Sequence, residues 1–313
     1  MVVTDSTASL PRGAAEHWGV EVVPLEVALG DVRYREGVDL DPGKLVRALG
    51  AGTRVTTSQP SPRAFADAYA RAVGRGAREI VSVHLSGELS GTVRAAELAA
   101  RDAPVPVQVV DSRSVAMGLG FAVLAAARVA QGQAPPTAPA PVVPDVPVPT
   151  PRAPLAPPIP PIPSAVPGAA VADRAREVAA TSSTLFLVDS LEHLRRGGRI
   201  GSAAAAVGTL LGMRPLLTVR GGRVEVAGTV RTRRAARERL LAAAASEADV
   251  HEEARGAVRV AVHHLGDPEA AEALADDVRA RLGAGADVVV AEVSAVVGAH
   301  AGPGVLGVVV ARA

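Results

Sequence analysis

Apolar and polar positions along this chain alternate between two periods. Residues 80–85, IVSVHL, form a nearly continuous apolar block, as a strand buried on both faces does. Residues 93–101 are alanine-rich with helical spacing. Between them lies Leu85-Ser86-Gly87-Glu88-Leu89-Ser90-Gly91-Thr92. The pattern predicts a strand, a turn rich in Ser and Gly, then a helix start. Such a turn sets hydroxyls and free backbone N–H groups at a helix N-terminus, where a carboxylate or phosphate is favoured. An ordinary capped turn, with Ser90 or Thr92 as N-cap, accounts for the same residues.

The alternation recurs on both sides of this turn. Strands are predicted at 1–3, 20–29, 80–85 and 105–110. Helices are predicted at 9–18, with Ser9 as N-cap and Pro11 in the first turn, and at 41–49, 63–73, 93–101 and 114–131. Residues 30–43 read as loop, and so does the hydroxyl-rich VTTSQPSP at 55–62. Polar, loop-forming residues fall where strands end: Asp5-Ser6, Thr57-Ser58, 86–92 and Asp111-Ser112. This predicts an α/β domain over 1–133, a parallel sheet flanked by helices, with ligands bound outside the carboxyl ends of its strands.

Residues 134–168 differ in kind. Fifteen of the 25 prolines lie between Pro135 and Pro167. Proline lacks the N–H that a ladder needs, so this tract reads as a semi-rigid linker or disordered insert; a PxxP recognition segment is the other reading. Helices follow at 170–181, 190–196 (closed by Gly197-Gly198), 203–213, 232–247 and 268–282. Strands follow at 185–188, 258–264, 287–293 and 305–310. A hairpin of 216–219 and 224–230 turns at Gly221-Gly222. Residues 169–313 therefore read as a second, smaller α+β domain.

Composition narrows the chemistry. The chain has 313 residues, 33 basic and 32 acidic, and no basic patch interleaved with aromatics, which argues against nucleic acid. It has no cysteine, which removes disulfides, thiolate nucleophiles and Cys metal sites, and suits the cytoplasm. No apolar run is long enough for a membrane-spanning helix. Aromatics are 2% of residues, so any cavity is lined by aliphatics. Lys44 is the only lysine and no G-x-x-x-x-G-K-[ST] exists, so a Walker-type ATP site is excluded; a dinucleotide fingerprint is also missing. Ser90, His300 and Asp111 can be cast as a hydrolase triad, yet the G-x-S-x-G elbow is absent. His263 and His264 are adjacent and point to opposite faces of a strand, so they cannot easily share a metal, which suits a single buried or edge histidine. The arginines at 195–196 and 231–234 read as solvated surface. Anion-friendly loops and aliphatic helices together suit a long apolar molecule with one carboxylate.

The ordered motifs resemble the DegV family: Thr4-Asp5-Ser6-Thr7 with Leu10-Pro11, TSQPS at 57–61, the turn at 85–92 and Asp111-Ser112. GGRI at 197–200, LLGMRPLL at 210–217, VRTRR at 230–234 and HAGPG at 300–304 follow in the family's order. The resemblance implies a two-domain α/β protein that binds one long-chain fatty acid in an interdomain tunnel, without a cofactor or metal. It implies that Thr57 and Ser90 hold the carboxylate, with Ser58, Gly91 and Thr92 close by. It places His300 and Arg199 near the head-group opening and Arg231 on the surface that meets a partner. It further implies a cytoplasmic carrier in phospholipid metabolism, with no ATP site of its own. Such a carrier presents the carboxylate to a separate fatty acid kinase, which makes the acyl-phosphate, and the role allows transient contact with a membrane surface. A stand-alone hydrolase or acyl transferase, with His300 as acid/base, is the alternative. The sequence departs from the family pattern in three places: the proline tract replaces a helical segment, Gly87 stands where a second serine is usual, and Ala299 replaces a threonine.

Composition gives the proline tract little capacity for a packed core. Deleting residues 136–166 is expected to leave urea stability within about 2 kcal/mol of the full chain, since linker length carries a weak penalty. A larger loss would show that the tract packs.

Overall fold

The structure is a computed structural model that describes residues 1–40, 42–133, 166–200, 212–253, 257–283 and 286–312. The proline tract up to residue 165, Leu210-Leu211 and most of the helix expected over 203–213 lie outside the described residues.

The first half runs β1 (Val2–Asp5), α1 (Ala14–His17), β2 (Glu21–Val23), β3 (Glu26–Leu29), β4 (Val32–Arg35), α2 (Pro42–Gly50), β5 (Val55–Ser58), α3 (Pro62–Gly74), β6 (Ile80–His84), α4 (Thr92–Ala100), β7 (Val107–Asp111) and α5 (Met117–Ala130). Four strands form the expected parallel sheet in the order β2-β1-β6-β7. Val3 and Ile80 pack with Phe65 and Tyr69 of α3 and Ala95 and Ala96 of α4. Val2, Val81 and Val110 pack instead with Leu119 and Val123 of α5, and with Val171 and Ala175 of α6 (Gly168–Thr181). Helices thus cover both faces, and each buried Leu, Val or Phe contributes about 1.5–3 kcal/mol.

Three local expectations are corrected. The single strand expected over 20–29 is two strands in different sheets, because Pro24 has no N–H to continue a ladder. Residues 30–43 and 55–62, read as loops, each contain a strand: β4 and β5 flank β3 in a separate antiparallel sheet. The helix expected from Ser9 is not continuous. Residues 6–8 form a 3-10 turn capped by Asp5, Ser9 takes a left-handed conformation, and α1 is only Ala14–His17 with Gly13 as its N-cap.

The second half continues with β8 (Ser183–Leu187), α7 (Glu192–Gly197), β9 (Arg214–Arg220), β10 (Arg223–Val230), α8 (Arg233–Glu253), β11 (Val258–His264), α9 (Pro268–Leu282), β12 (Ala286–Glu292), α10 (Ala295–Ala301) and β13 (Leu306–Arg312). Its six-stranded sheet has the order β10-β9-β8-β13-β11-β12, parallel only between β11 and β12. Leu240 of α8 and Leu274 and Val278 of α9 cover one face, against Val260 and Val308. The other face meets the first half: Ala261, Val309 and Ala311 pack on Met117, Phe121 and Leu124 of α5 and on Val178 of α6. Helix α6 is therefore shared, touching both sheets.

His263 fastens this junction. Its Nδ1–H donates to the Ala291 carbonyl at 2.9 Å, and its Nε2 accepts from the Met117 N–H, where α5 begins, at 3.1 Å. His263 and His264 are both buried on adjacent positions of β11, where the sequence leads to a single buried or edge histidine. Burial pushes the His263 pKa down to about 4; the Ala291 carbonyl opposes this and His264 reinforces it. The folded state therefore favours the neutral ring. The stability this represents is fully present above the unfolded pKa of about 6.5 and is lost as pH falls towards 4. His263→Asn is expected to flatten the fall in urea stability between those values by about 3 kcal/mol in total. An unchanged slope would show that His263 does not report acid sensitivity.

Candidate functional site

The site assembles where the carboxyl ends of β1 and β6 meet the second half. Asp5, the last residue of β1, is fully buried. Its Oδ2 accepts from the Leu85 N–H at 3.0 Å and from His84 Nδ1–H at 3.0 Å. Its Oδ1 accepts from the Thr7 N–H and hydroxyl at 3.0 and 2.5 Å. The first residue of the 85–92 turn is thereby fixed to the neighbouring strand. Further along, the Ser86 hydroxyl donates to the Gly222 carbonyl at 2.7 Å, and Arg223 pairs with Glu88 at 2.6 Å. The tip of the β9–β10 hairpin is thus docked on the turn.

Ser90 and Thr92 close the turn together, with their hydroxyl oxygens 2.8 Å apart. Neither caps α4 as the sequence suggested. Gly91 is the N-cap and supplies no side chain, so both hydroxyls remain at the mouth of the helix. A Cβ on Gly91 would stand 2.0 Å from Gln59 Oε1, so the 57–59 segment and the turn are in contact.

Thr57 is on β5, opposite Val27 of β3. Its Oγ1 lies 2.8 Å from His300 Nε2, a contact across 243 positions of sequence. Ser58 points to the other side, as alternation requires, and donates to Glu26 at 3.2 Å. His300 sits near the end of α10, a helix the sequence pattern did not disclose. Gly197, the last residue of α7, backs its ring: a Cβ there would fall 2.2 Å from His300 Nδ1. Two residues on, Arg199 donates from Nε to the Leu89 carbonyl at 3.2 Å. Thr57, His300, Arg199 and the Ser90 turn are thereby linked. Arg231 stands apart, exposed between β10 and α8.

Burial pushes the His300 pKa down to about 4, with Arg199 and His193 adding to the shift. The imidazole is neutral at pH 7 and offers one donor and one acceptor, while Arg199 carries the positive charge. Behind this polar edge lies an aliphatic layer built from both halves. Leu25, Val27, Leu40 and Leu45 meet Leu194, Leu217, Val224 and Val296, with Leu89, Ile200 and Val297 at its margin.

The hydrolase arrangement is not formed. Ser90 pairs with Thr92, His300 with Thr57, and the Asp111 carboxylate accepts from the Gly87 and Arg113 N–H groups at 3.2 and 2.8 Å. A different Ser–His–Asp array exists in the core. Ser82 Oγ is 2.6 Å from His84 Nε2, His84 reaches Asp5, and Tyr69 donates to Ser82 at 3.0 Å. All four side chains are sealed from solvent, so the array positions the turn and has no substrate access. The sequence held a signal for it: Ser82 and His84 sit two apart in an apolar strand and so share a face. Among the described residues no cluster of His, Asp and Glu is arranged to hold a metal ion, and no helix is long and apolar enough to cross a membrane.

The family described as "Uncharacterised protein, DegV family" matches residues 1–140 and 167–313. The chain belongs to the DegV family. A DegV domain-containing protein of Streptomyces coelicolor is 46% identical over 310 residues, covering 99% of this chain and 97% of that one. Among solved structures, a fatty-acid-binding DegV family protein of Thermus thermophilus is 35% identical with a TM-score of 0.81, covering 100% of this chain and 99% of its own. DegV of Bacillus subtilis, described as a fatty acid binding protein, is 27% identical with a TM-score of 0.80, covering 100% and 98%. The parallel sheet flanked by helices, with its second sheet domain, is the architecture shared with these structures.

The close backing of His300 gives a direct test. Gly197→Ala is expected to cost about 1–3 kcal/mol in urea stability, because the new methyl must displace the ring or the helix. Unchanged stability would show that the His300 ring moves aside freely.

Proposed function

We propose that this protein binds one long-chain fatty acid between its halves and holds the carboxylate at the Thr57–His300–Ser90 cluster. The observation that carries the reading is the 2.8 Å contact of Thr57 with His300, beside two clustered hydroxyls and at the edge of an aliphatic layer. A carboxylate needs donors in place of water, and the hydroxyls of Thr57, Ser90 and Thr92, the His300 ring and Arg199 are of that kind. Ser58, engaged with Glu26, supports β5 rather than the ligand, while Gly91 packs against the Gln59 side chain beside the cluster. An acyl chain entering the aliphatic layer gains about 0.8 kcal/mol per buried CH₂. The fatty-acid-binding relatives from Thermus thermophilus and Bacillus subtilis support this reading.

The same reading makes the protein a carrier rather than an enzyme. It presents the carboxylate to a separate fatty acid kinase for conversion to acyl-phosphate, feeding phospholipid metabolism in the cytoplasm. Arg199 faces the opening and exposed Arg231 faces the kinase. Transient contact with a membrane surface fits the loading of such a ligand. The lack of a Walker motif supports an ATP site on the partner.

Purified protein is expected to carry a C14–C18 fatty acid at roughly 1:1, read by mass spectrometry of denatured extracts. Thr57→Val and Ser90→Ala are each expected to weaken palmitate binding by about 1.5–3 kcal/mol, with a non-additive double mutant because the two share one acceptor. Because neither hydroxyl caps α4 in the structure, urea stability is expected to change much less. Unchanged affinity in both variants would place the carboxylate elsewhere.

A further inference from the structure

Glu36 is a buried carboxyl that the proposed ligand contacts leave unused. It follows β4 and is 6% exposed. Its Oε1 accepts from the Val296 N–H at 2.8 Å, in the first turn of α10. The hydroxyls of Ser6 and Ser294 lie beside it, and among the described residues its Oε2 has no hydrogen-bond partner. Burial raises its pKa above the ordinary carboxyl value, and nearby Asp5 raises it further, while Ser6, Val296 and Ser294 pull it down.

Helix α10 spans only Ala295–Ala301. So short a helix cannot hold itself, and its setting depends on what grips its ends. At its start, the Ser294 hydroxyl accepts from the Val297 N–H at 3.2 Å, and the Ser294 N–H donates to Ser9 at 3.0 Å. Near its end stands His300, four residues after Val296 and therefore on nearly the same face. Glu36 and Ser9 grip one end from the first half of the chain, and Thr57 meets His300 at the other.

From this we infer that Glu36 is a positioning residue for His300: by holding the first turn of α10 it sets where the imidazole stands relative to Thr57. Glu36 touches no ligand in this scheme. Its effect on fatty acid binding passes through His300, and that part alone rests on the function proposed above. Glutamine keeps an acceptor for the Val296 N–H at the same reach. Alanine removes it and leaves a buried N–H unpaired.

The test uses the full chain with ¹⁵N-labelled histidine, the His300 ring signals being assigned with His300→Gln. Glu36→Gln is expected to keep the wild-type ring shifts. Glu36→Ala is expected to move them, and to raise the His300 titration midpoint from about 4 towards the ordinary value as the ring loosens into water. Palmitate binding is expected to weaken about tenfold in Glu36→Ala, and not further when Glu36→Ala is added to His300→Gln. Unchanged ring shifts and titration in Glu36→Ala overturn the inference. So does an equal loss of affinity with and without His300, since a merely structural role is additive. If Glu36→Ala does not fold, Glu36→Asp, one methylene short of Val296, carries the same expectation, and unchanged shifts there overturn it equally. If wild-type protein binds no palmitate, the proposed function fails while the ring signals still decide the role of Glu36.

Discussion

A buried carboxylate must have its lone pairs filled by the protein, and at Asp5 that demand organises the site. Four donors meet it: the Thr7 N–H and hydroxyl, His84 and the Leu85 N–H. Leaving a buried polar group without its partner typically costs about 1–3 kcal/mol, more for a charged one, so β1, the 3-10 turn after it and the end of β6 are committed to one arrangement. The Ser90 turn inherits that rigidity. The next residue, Ser6, lies beside Glu36, which reaches the helix of His300. Asp5, at the end of β1, and Ser6 after it thus anchor both elements that bring polar side chains to the cluster.

The electrostatics follow from this packing. His300 is kept neutral mainly by burial, so the ring contributes direction rather than charge. Arg199 supplies the charge, and among the described residues its guanidinium is tied to the Leu89 and Gly197 carbonyls rather than to a carboxylate. It remains available to an anion. An uncharged hydroxyl and imidazole set beside one guanidinium is the kind of donor set that the proposed carboxylate needs.

Much of this was legible in the chain. The 85–92 turn, the polar ends of β1 and β7 and the hairpin at Gly221-Gly222 all announce themselves by local residue type. The helix expected over 268–282 is α9, with Asp267 as its N-cap. What escaped depends on distant partners. β4 and β5 are short and half-polar, and they become strands only because β3 lies between them. Helix α10 is short, and its glycine and alanines resemble loop until Glu36 and Ser294 grip its start. The meeting of Thr57 with His300 has no periodicity to reveal it; the ordered motifs pointed to both residues, but only the fold brings them together.

The position of β13 in the second sheet governs when this site can exist. It runs between β8 and β11, so residues 183–187 and 258–264 have no partner on their inner edges until residues 306–312 are present. On a chain growing from its N-terminus, β8 emerges more than a hundred residues before the strand that joins it to β11. Two open strand edges, rich in valine and leucine, wait through that interval, and such edges recruit neighbouring chains. During synthesis the second half therefore exposes two strand edges until its last strand is made. The Thr57–His300 contact, which needs residue 300, forms only at the end of that interval.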